Sequence, residues 1–249
     1  MADFSPKEIV SKAWLTTKSN LGFLVGLTLV VILISALPSV GQSLIQAAMG
    51  KTNTLGIIIT LGIVLFSSLW LQPVIQAGNL QIYLHIVDGK SRSLGQLFSR
   101  KELWGKWFLA SLLYGLISLS VFLGLFLVYG VIFGVLSLTG LSNEEIMNPT
   151  GYRMGVLIIP SIVAILALVV IAIRYSFYNY FLVDRNAGIG ESLKSSWQAT
   201  QGLTGKLLLF SLLIAGINVL GLLALGVGLL VTAPLSVLAE TYLYRQIVK

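Results

Sequence analysis

Apolar runs of about 20 residues or more recur along this 249-residue chain, and about 20 residues are what an α-helix needs to cross a roughly 30 Å hydrocarbon core. No other feature of the sequence restricts the fold so strongly. In lipid every backbone N–H and C=O must be satisfied internally, so only helices or a closed barrel can span. The runs show no period-2 alternation, which argues against a barrel. Charged residues make up 10% of the chain and apolar ones 56%, against about 25% charged in soluble domains. A soluble fold of this length would need far more surface charge. The fold class is therefore an all-α integral membrane protein, with residues 1–249 as a single transmembrane domain.

The net charge of +7 could suggest nucleic acid, but the basic residues cluster at the ends of apolar runs. There they set orientation and meet anionic headgroups; no basic-aromatic surface suited to nucleic acid is present. The chain has no Cys, so neither a disulfide framework nor a Cys-based metal site is available. Residues 1–20 are polar, carry Asp3 and Glu8, and lack a signal-peptidase site. The first apolar run, 21–37, thus reads as a retained span and not as a signal peptide.

Six spans are expected. Ser5-Pro6-Lys7-Glu8 has the form of a capping box opening an amphipathic helix. Span one follows over 21–37, stopped by Pro38. Span two runs over 55–87 with Pro73 as a kink; its roughly 50 Å length projects a polar end bearing Gln72, Gln76, Asn79, Gln81 and His85. Span three covers 107–138 and span four 154–183. A loop carrying Glu144 and Glu145 separates these two. Spans five (207–223) and six (225–244) form a hairpin, with Gly221, Gly226 and Gly228 allowing a tight reversal.

Polar islands precede the spans. In DRNAGIGESLKSSW, a helix from Ile189 puts Ile189, Leu193, Trp197 and the Thr200 methyl on one side. Glu191, Lys194, Ser195, Gln198 and Gln201 fall opposite, as in a helix lying in a membrane interface. Glu8 and Trp14 recur as Glu191 and Trp197, with Thr17 and Thr200 three residues on; Val87-Asp88 recurs as Val183-Asp184. Aligning Pro73 with Pro234 brings Asn79 to Glu240 and Tyr83 to Tyr244. The simplest unit is an interfacial helix, a span outward and a longer span back, repeated over about 1–87, 88–183 and 184–249. Of 16 basic residues only Lys51 and Arg153 fall in outer loops, so both termini are expected in the cytoplasm. Trp14, Trp104, Trp107 and Trp197 sit at the inner boundaries as interfacial anchors.

Three stretches, YLHIVDGKSRSLGQLFS, YFLVDRNAGIGESLKSSWQATQG and GLLALGVGLLVTAPLSVLAETYLYRQ, resemble a bacterial group. It is often labelled the membrane domain of glycerophosphodiester phosphodiesterases, together with related uncharacterised six-span proteins. The similarity covers about residues 75–106 and 177–249. The resemblance implies an accessory membrane unit in a bacterial inner (plasma) membrane or an equivalent energy-transducing one. In some members the unit is joined to a separate hydrolase; no such hydrolase is expected within these residues.

Chemistry is sparse. One His and nine acids form no paired-carboxylate or metal-ligand pattern, so no enzyme activity and no cofactor are expected. Asp88 and Asp184 head the islands, where helix capping or turn formation accounts for them, and His85 reads as an interfacial residue. Gly22-x3-Gly26 and Gly130-x3-Gly134 fit close helix approach within the monomer. Arg174 and Glu240 are lone charges near the inner ends of returning spans. Either they meet in a polar pocket with Asn79 or Gln76, or Arg174 reaches lipid phosphate while Glu240 pairs locally with Arg245. The expected function is a non-catalytic membrane scaffold or accessory subunit whose partners are lipids and other membrane subunits. The alternative is a small-molecule or lipid transporter or channel.

Overall fold

The structure, a computed structural model, describes residues 4–138 and 152–248. The expected loop with Glu144 and Glu145 lies outside the described residues. Among the described residues every regular element is helical. Five helical stretches are long and apolar enough to cross a membrane: Leu21–Met49, Thr54–Val87, Leu94–Val135, Ile158–Arg185 and Thr204–Leu223. The chain is thus a multi-pass helical membrane protein.

Helix α1 (Pro6–Ser19) starts at Pro6, whose missing N–H costs nothing at a helix N-terminus. The expected capping box does not close, because the Ser5 side chain makes no cap hydrogen bond. Helix α2 (Leu21–Met49) runs straight through Pro38 and ends only at Gly50, with φ 81°. This corrects the expected stop at residue 37. Pro removes one backbone hydrogen bond, whereas breaking the helix in hydrocarbon would orphan several, and α2 keeps the helix. Asn53 then caps α3 (Thr54–Phe66), its Oδ1 accepting from Gly56 N at 3.1 Å. A π turn at Ser67–Leu71 links α3 to α4 (Gln72–Val87) just before Pro73. The widened turn lies immediately before the proline at which a kink is expected.

Residues 94–103 contradict the expectation of an interfacial α-helix, forming two 3-10 turns at Leu94–Phe98 and Lys101–Leu103. The preceding Ser91-Arg92-Ser93 and Gly95 favour turns over helix. Helix α5 (Trp104–Ser137) follows. Helix α6 (Tyr152–Arg174) breaks after Arg174, and α7 (Tyr178–Arg185) ends on Asn186 in the left-handed region, φ 51°. Then come α8 (Ile189–Ala199), α9 (Thr204–Leu223) and α10 (Leu229–Ile247). Helix α10 falls outside the five strongly apolar stretches, because its second half carries Glu240, Tyr242, Tyr244 and Arg245. The α9–α10 reversal is as tight as the glycines suggested. A Cβ on Gly221 would lie 2.3 Å from Thr232 Oγ1, and one on Gly228 2.6 Å from the Gly221 carbonyl oxygen.

Packing is concentrated at one end. Helix α4 is buried almost all round, from Pro73 to Ile86, and forms the centre of that end. Around it lie Leu97, Leu103, Phe177, Phe181, Leu238, Leu243 and Tyr244. By contrast, at most 22% of the most apolar window of any of the five long stretches is buried. Their far halves pack as pairs, α2 with α3, α5 with α6 and α9 with α10, and otherwise present Leu, Ile, Val and Phe outward. Among the described residues nothing lies within 4 Å of a Cβ placed on Gly22, Gly26, Gly130 or Gly134, so these spacings do not mark close packing among them.

The polar islands dock on this packed end in a regular order. The Leu94–Phe98 turn packs on α4, which precedes it, and α8 packs on α7, which precedes it; α1 packs on α10. At α8 the docking is a hydrogen-bonded joint. Ser196 Oγ accepts from Phe177 N (3.1 Å) and donates to the Arg174 carbonyl (2.8 Å), which Thr200 Oγ1 also reaches at 3.2 Å. Buried Ser196 thus satisfies backbone groups freed by the break between α6 and α7. Ser196→Ala leaves the Phe177 N–H unpaired, at an expected cost of about 1–3 kcal/mol. Hydrogen exchange at residues 175–178 should accelerate in that variant and remain unchanged in Gln198→Ala, which alters an exposed position of the same helix.

Candidate functional site: a polar clasp at the packed end

Three helices that return to the packed end each finish on a charged residue. Asp88 is the C-cap of α4, followed by Gly89 at φ 70°, while Asp184 and Arg245 lie in the last turns of α7 and α10. Arg245 joins the other two. Its Nε and Nη2 donate to Asp88 Oδ1 and Oδ2 at 2.9 and 2.7 Å. Its Nη1 and Nη2 donate to Asp184 Oδ2 and Oδ1 at 2.6 and 2.9 Å. Both carboxylates are held by paired bonds, the geometry for which a planar guanidinium is suited. Tyr244 Oη donates to Asp184 Oδ2 at 2.9 Å, and Lys90 Nζ lies 3.4 Å from Asp88 Oδ2. The three charged side chains are only 20–27% exposed.

Further ties surround the clasp. Arg100 donates from Nε to Gln81 Oε1 at 3.0 Å and from Nη2 to the Val183 carbonyl, linking α4 to α7. Gln81 Nε2 also meets His85 Nε2 at 2.6 Å. Lys106 Nζ donates to Asn186 Oδ1 at 2.9 Å, and Arg185 Nη2 to the Val248 carbonyl at 3.3 Å. Beneath lies a ring cluster, with Tyr180 and Tyr244 stacked at 5.0 Å and Phe181 edge-on to Tyr244 at 5.4 Å. An open recess of about 820 Å³ borders the clasp, lined by Glu8, Lys12, Asp88, Tyr242, Arg245 and Gln246. Chemically the arrangement is a tie. Its carboxylates are already engaged by one guanidinium, so neither is presented as a base or nucleophile.

The four-residue polar cluster expected from the sequence does not assemble. Among the described residues no hydrogen bond or ion pair joins any two of Arg174, Glu240, Asn79 and Gln76. The Arg174 guanidinium lies 5.2 Å from the Trp197 ring centroid, with Nε and Nη1 making no hydrogen bond. Asn79 has a buried Oδ1 without a partner and Gln76 is exposed. Glu240 is exposed on α10 and opens into a groove against α6 and α9. Nor does Glu240 pair with Arg245, whose donors all go to Asp88 and Asp184.

Of the four tryptophans expected as anchors, Trp14, Trp104 and Trp197 are 41–42% exposed on the surface of the packed end. Trp107 is 5% exposed and belongs to the core, which corrects its reading as an anchor. The buried side of α8 is Ser192, Leu193, Ser196 and Thr200, so its protein-facing stripe is more polar than periodicity of apolar residues alone indicated. The residues sequence reasoning missed as a group are Asp88, Asp184 and Arg245. Their signal was complementary sign: two returning helices end in Asp and the third in Arg. Comparison with protein-family models, curated proteins and solved structures found no match to this chain.

Proposed function

We propose that this chain is a non-catalytic integral membrane scaffold or accessory subunit of a larger membrane complex or lipid-associated machinery. It is composed of three repeat units, each an amphipathic segment followed by an outward and a returning span. In this reading α10 is the sixth span, and both termini and the clasp face the cytoplasm of a bacterial inner membrane or its equivalent. The cyclic docking of α8 on α7, the 94–98 turn on α4 and α1 on α10 supports three equivalent units. The resemblance of residues 75–106 and 177–249 to the phosphodiesterase-linked membrane domains supports an accessory role. The observation that carries the reading is the division of the molecule. Its strongest polar interactions tie the helices together at one end, while the paired apolar arms beyond leave most of their surface for lipid or neighbouring subunits.

Purification of the intact chain from its native membrane under mild detergent is expected to retain a stoichiometric membrane partner. Solute or lipid flux through liposomes holding this protein alone, with no partner retained from the membrane, would overturn the scaffold reading in favour of a transporter.

A further inference from the structure

Glu240 is a carboxylate without an ion-pair partner among the described residues, and it lies in an unusual place. Five residues before Arg245 on α10, it sits about 7.5 Å along the helix from the clasp, at 1.5 Å per residue. It lines a groove of about 390 Å³ between α6, α9 and α10, within the range of small-ligand sites. The walls are apolar, with Val169, Ile173, Leu207 and Phe210 among them, and among the described residues Glu240 is the one charged residue of the lining. Ser176 and Ser211 add hydroxyls. The buried Tyr180 hydroxyl lies beside Glu240 and Thr241. Arg245, the nearest cation along α10, is fully engaged elsewhere.

A lone carboxylate bordering hydrocarbon is costly unless something neutralises it. The groove supplies hydroxyls and apolar walls but no cation. Its rim includes Leu208 and Leu212, which are 38% and 59% exposed, so an occupant enters sideways from the bilayer and not from water. A packed helix from another protein would need a broader trough than this volume; a compact lipid head with the upper part of one acyl chain is of its size. We propose that the groove binds a membrane lipid bearing a primary ammonium headgroup, its cation on Glu240 and an acyl chain along the α6–α9 wall. The site goes beyond the scaffold reading and does not depend on it.

The test uses the full-length chain in bilayer discs containing ethanolamine-, N-acetylethanolamine- and glycerol-headgroup phospholipids on identical acyl chains. Lipid retained on release is read by native mass spectrometry. The ethanolamine lipid is expected to be retained about tenfold over its N-acetyl counterpart, the scale of one charge-assisted hydrogen bond. Glu240→Gln should abolish that preference. Ser211→Phe, which fills the groove and leaves the charge, should lower retention of the ethanolamine lipid to the level of the glycerol lipid. Equal retention of ammonium and N-acetyl lipids by the unaltered protein overturns the proposal without requiring any variant to fold, as does a preference that survives in Glu240→Gln.

Discussion

Arg245→Gln is expected to be the most damaging single polar substitution in the molecule. It removes the cation between Asp88 and Asp184 while leaving both carboxylates where α4 and α7 hold them. An exposed ion pair is worth at most about 1 kcal/mol, and breaking a buried one costs about 3–5. With the three side chains 20–27% exposed, a loss of about 2–4 kcal/mol is expected. Much of that loss comes from carboxylates left facing each other. Adding Asp88→Asn and Asp184→Asn to Arg245→Gln should therefore recover part of the stability, although each Asn substitution alone destabilises. Unfolding of the detergent-solubilised protein measures all four variants. Simple addition of the single losses would show that the three groups do not act as one unit.

The second large effect is steric. On α4, a Cβ at Gly78 would lie 1.9 Å from the carbonyl oxygen of Leu97, which is backbone and cannot rotate away. Gly78→Ala must push the Leu94–Phe98 turn off α4, expelling Leu97 from the core. Overpacking of this kind costs about 1–3 kcal/mol and occasionally more; with rigid backbone on both sides, the upper end is expected. Gly190→Ala is the matched control. Nothing lies within 4 Å of a Cβ there, and Ala is favoured over Gly in helices by about 1 kcal/mol. The two substitutions should move the unfolding midpoint in opposite directions.

Much of this architecture is legible in the residues because lipid imposes strict rules. Run length locates the spanning stretches, and the glycines at 221, 226 and 228 locate the reversal that α9 and α10 make. The misreadings have physical causes. Pro38 is a helix breaker in water, where a freed carbonyl can bind solvent; along an apolar span, continuing the helix is the cheaper course. Trp104 and Trp107 are three positions apart, about 300° around a helix. Sequence cannot decide which of two rings so close in angle meets the core, and Trp107 does. The clasp leaves still less trace in the sequence. Asp88, Asp184 and Arg245 are separated by about a hundred and sixty positions at most, and a long-range ion pair has no local periodicity. The repeat alignment pairs Glu240 with Asn79, but Glu240 lines a groove and the buried Asn79 Oδ1 has no partner among the described residues.

We propose that three outward-and-back pairs return their charged ends to one face of the membrane. Single-cysteine labelling tests it directly, because the chain has no Cys of its own. In intact cells, a membrane-impermeant maleimide is expected to label Lys51→Cys, at the α2–α3 turn, and Leu225→Cys, at the α9–α10 turn. Lys90→Cys and Lys194→Cys, beside the clasp and on α8, should label only after permeabilisation. Protection of Leu225→Cys in intact cells that label Lys51→Cys would mean that the last pair does not cross the bilayer, and would contradict the account.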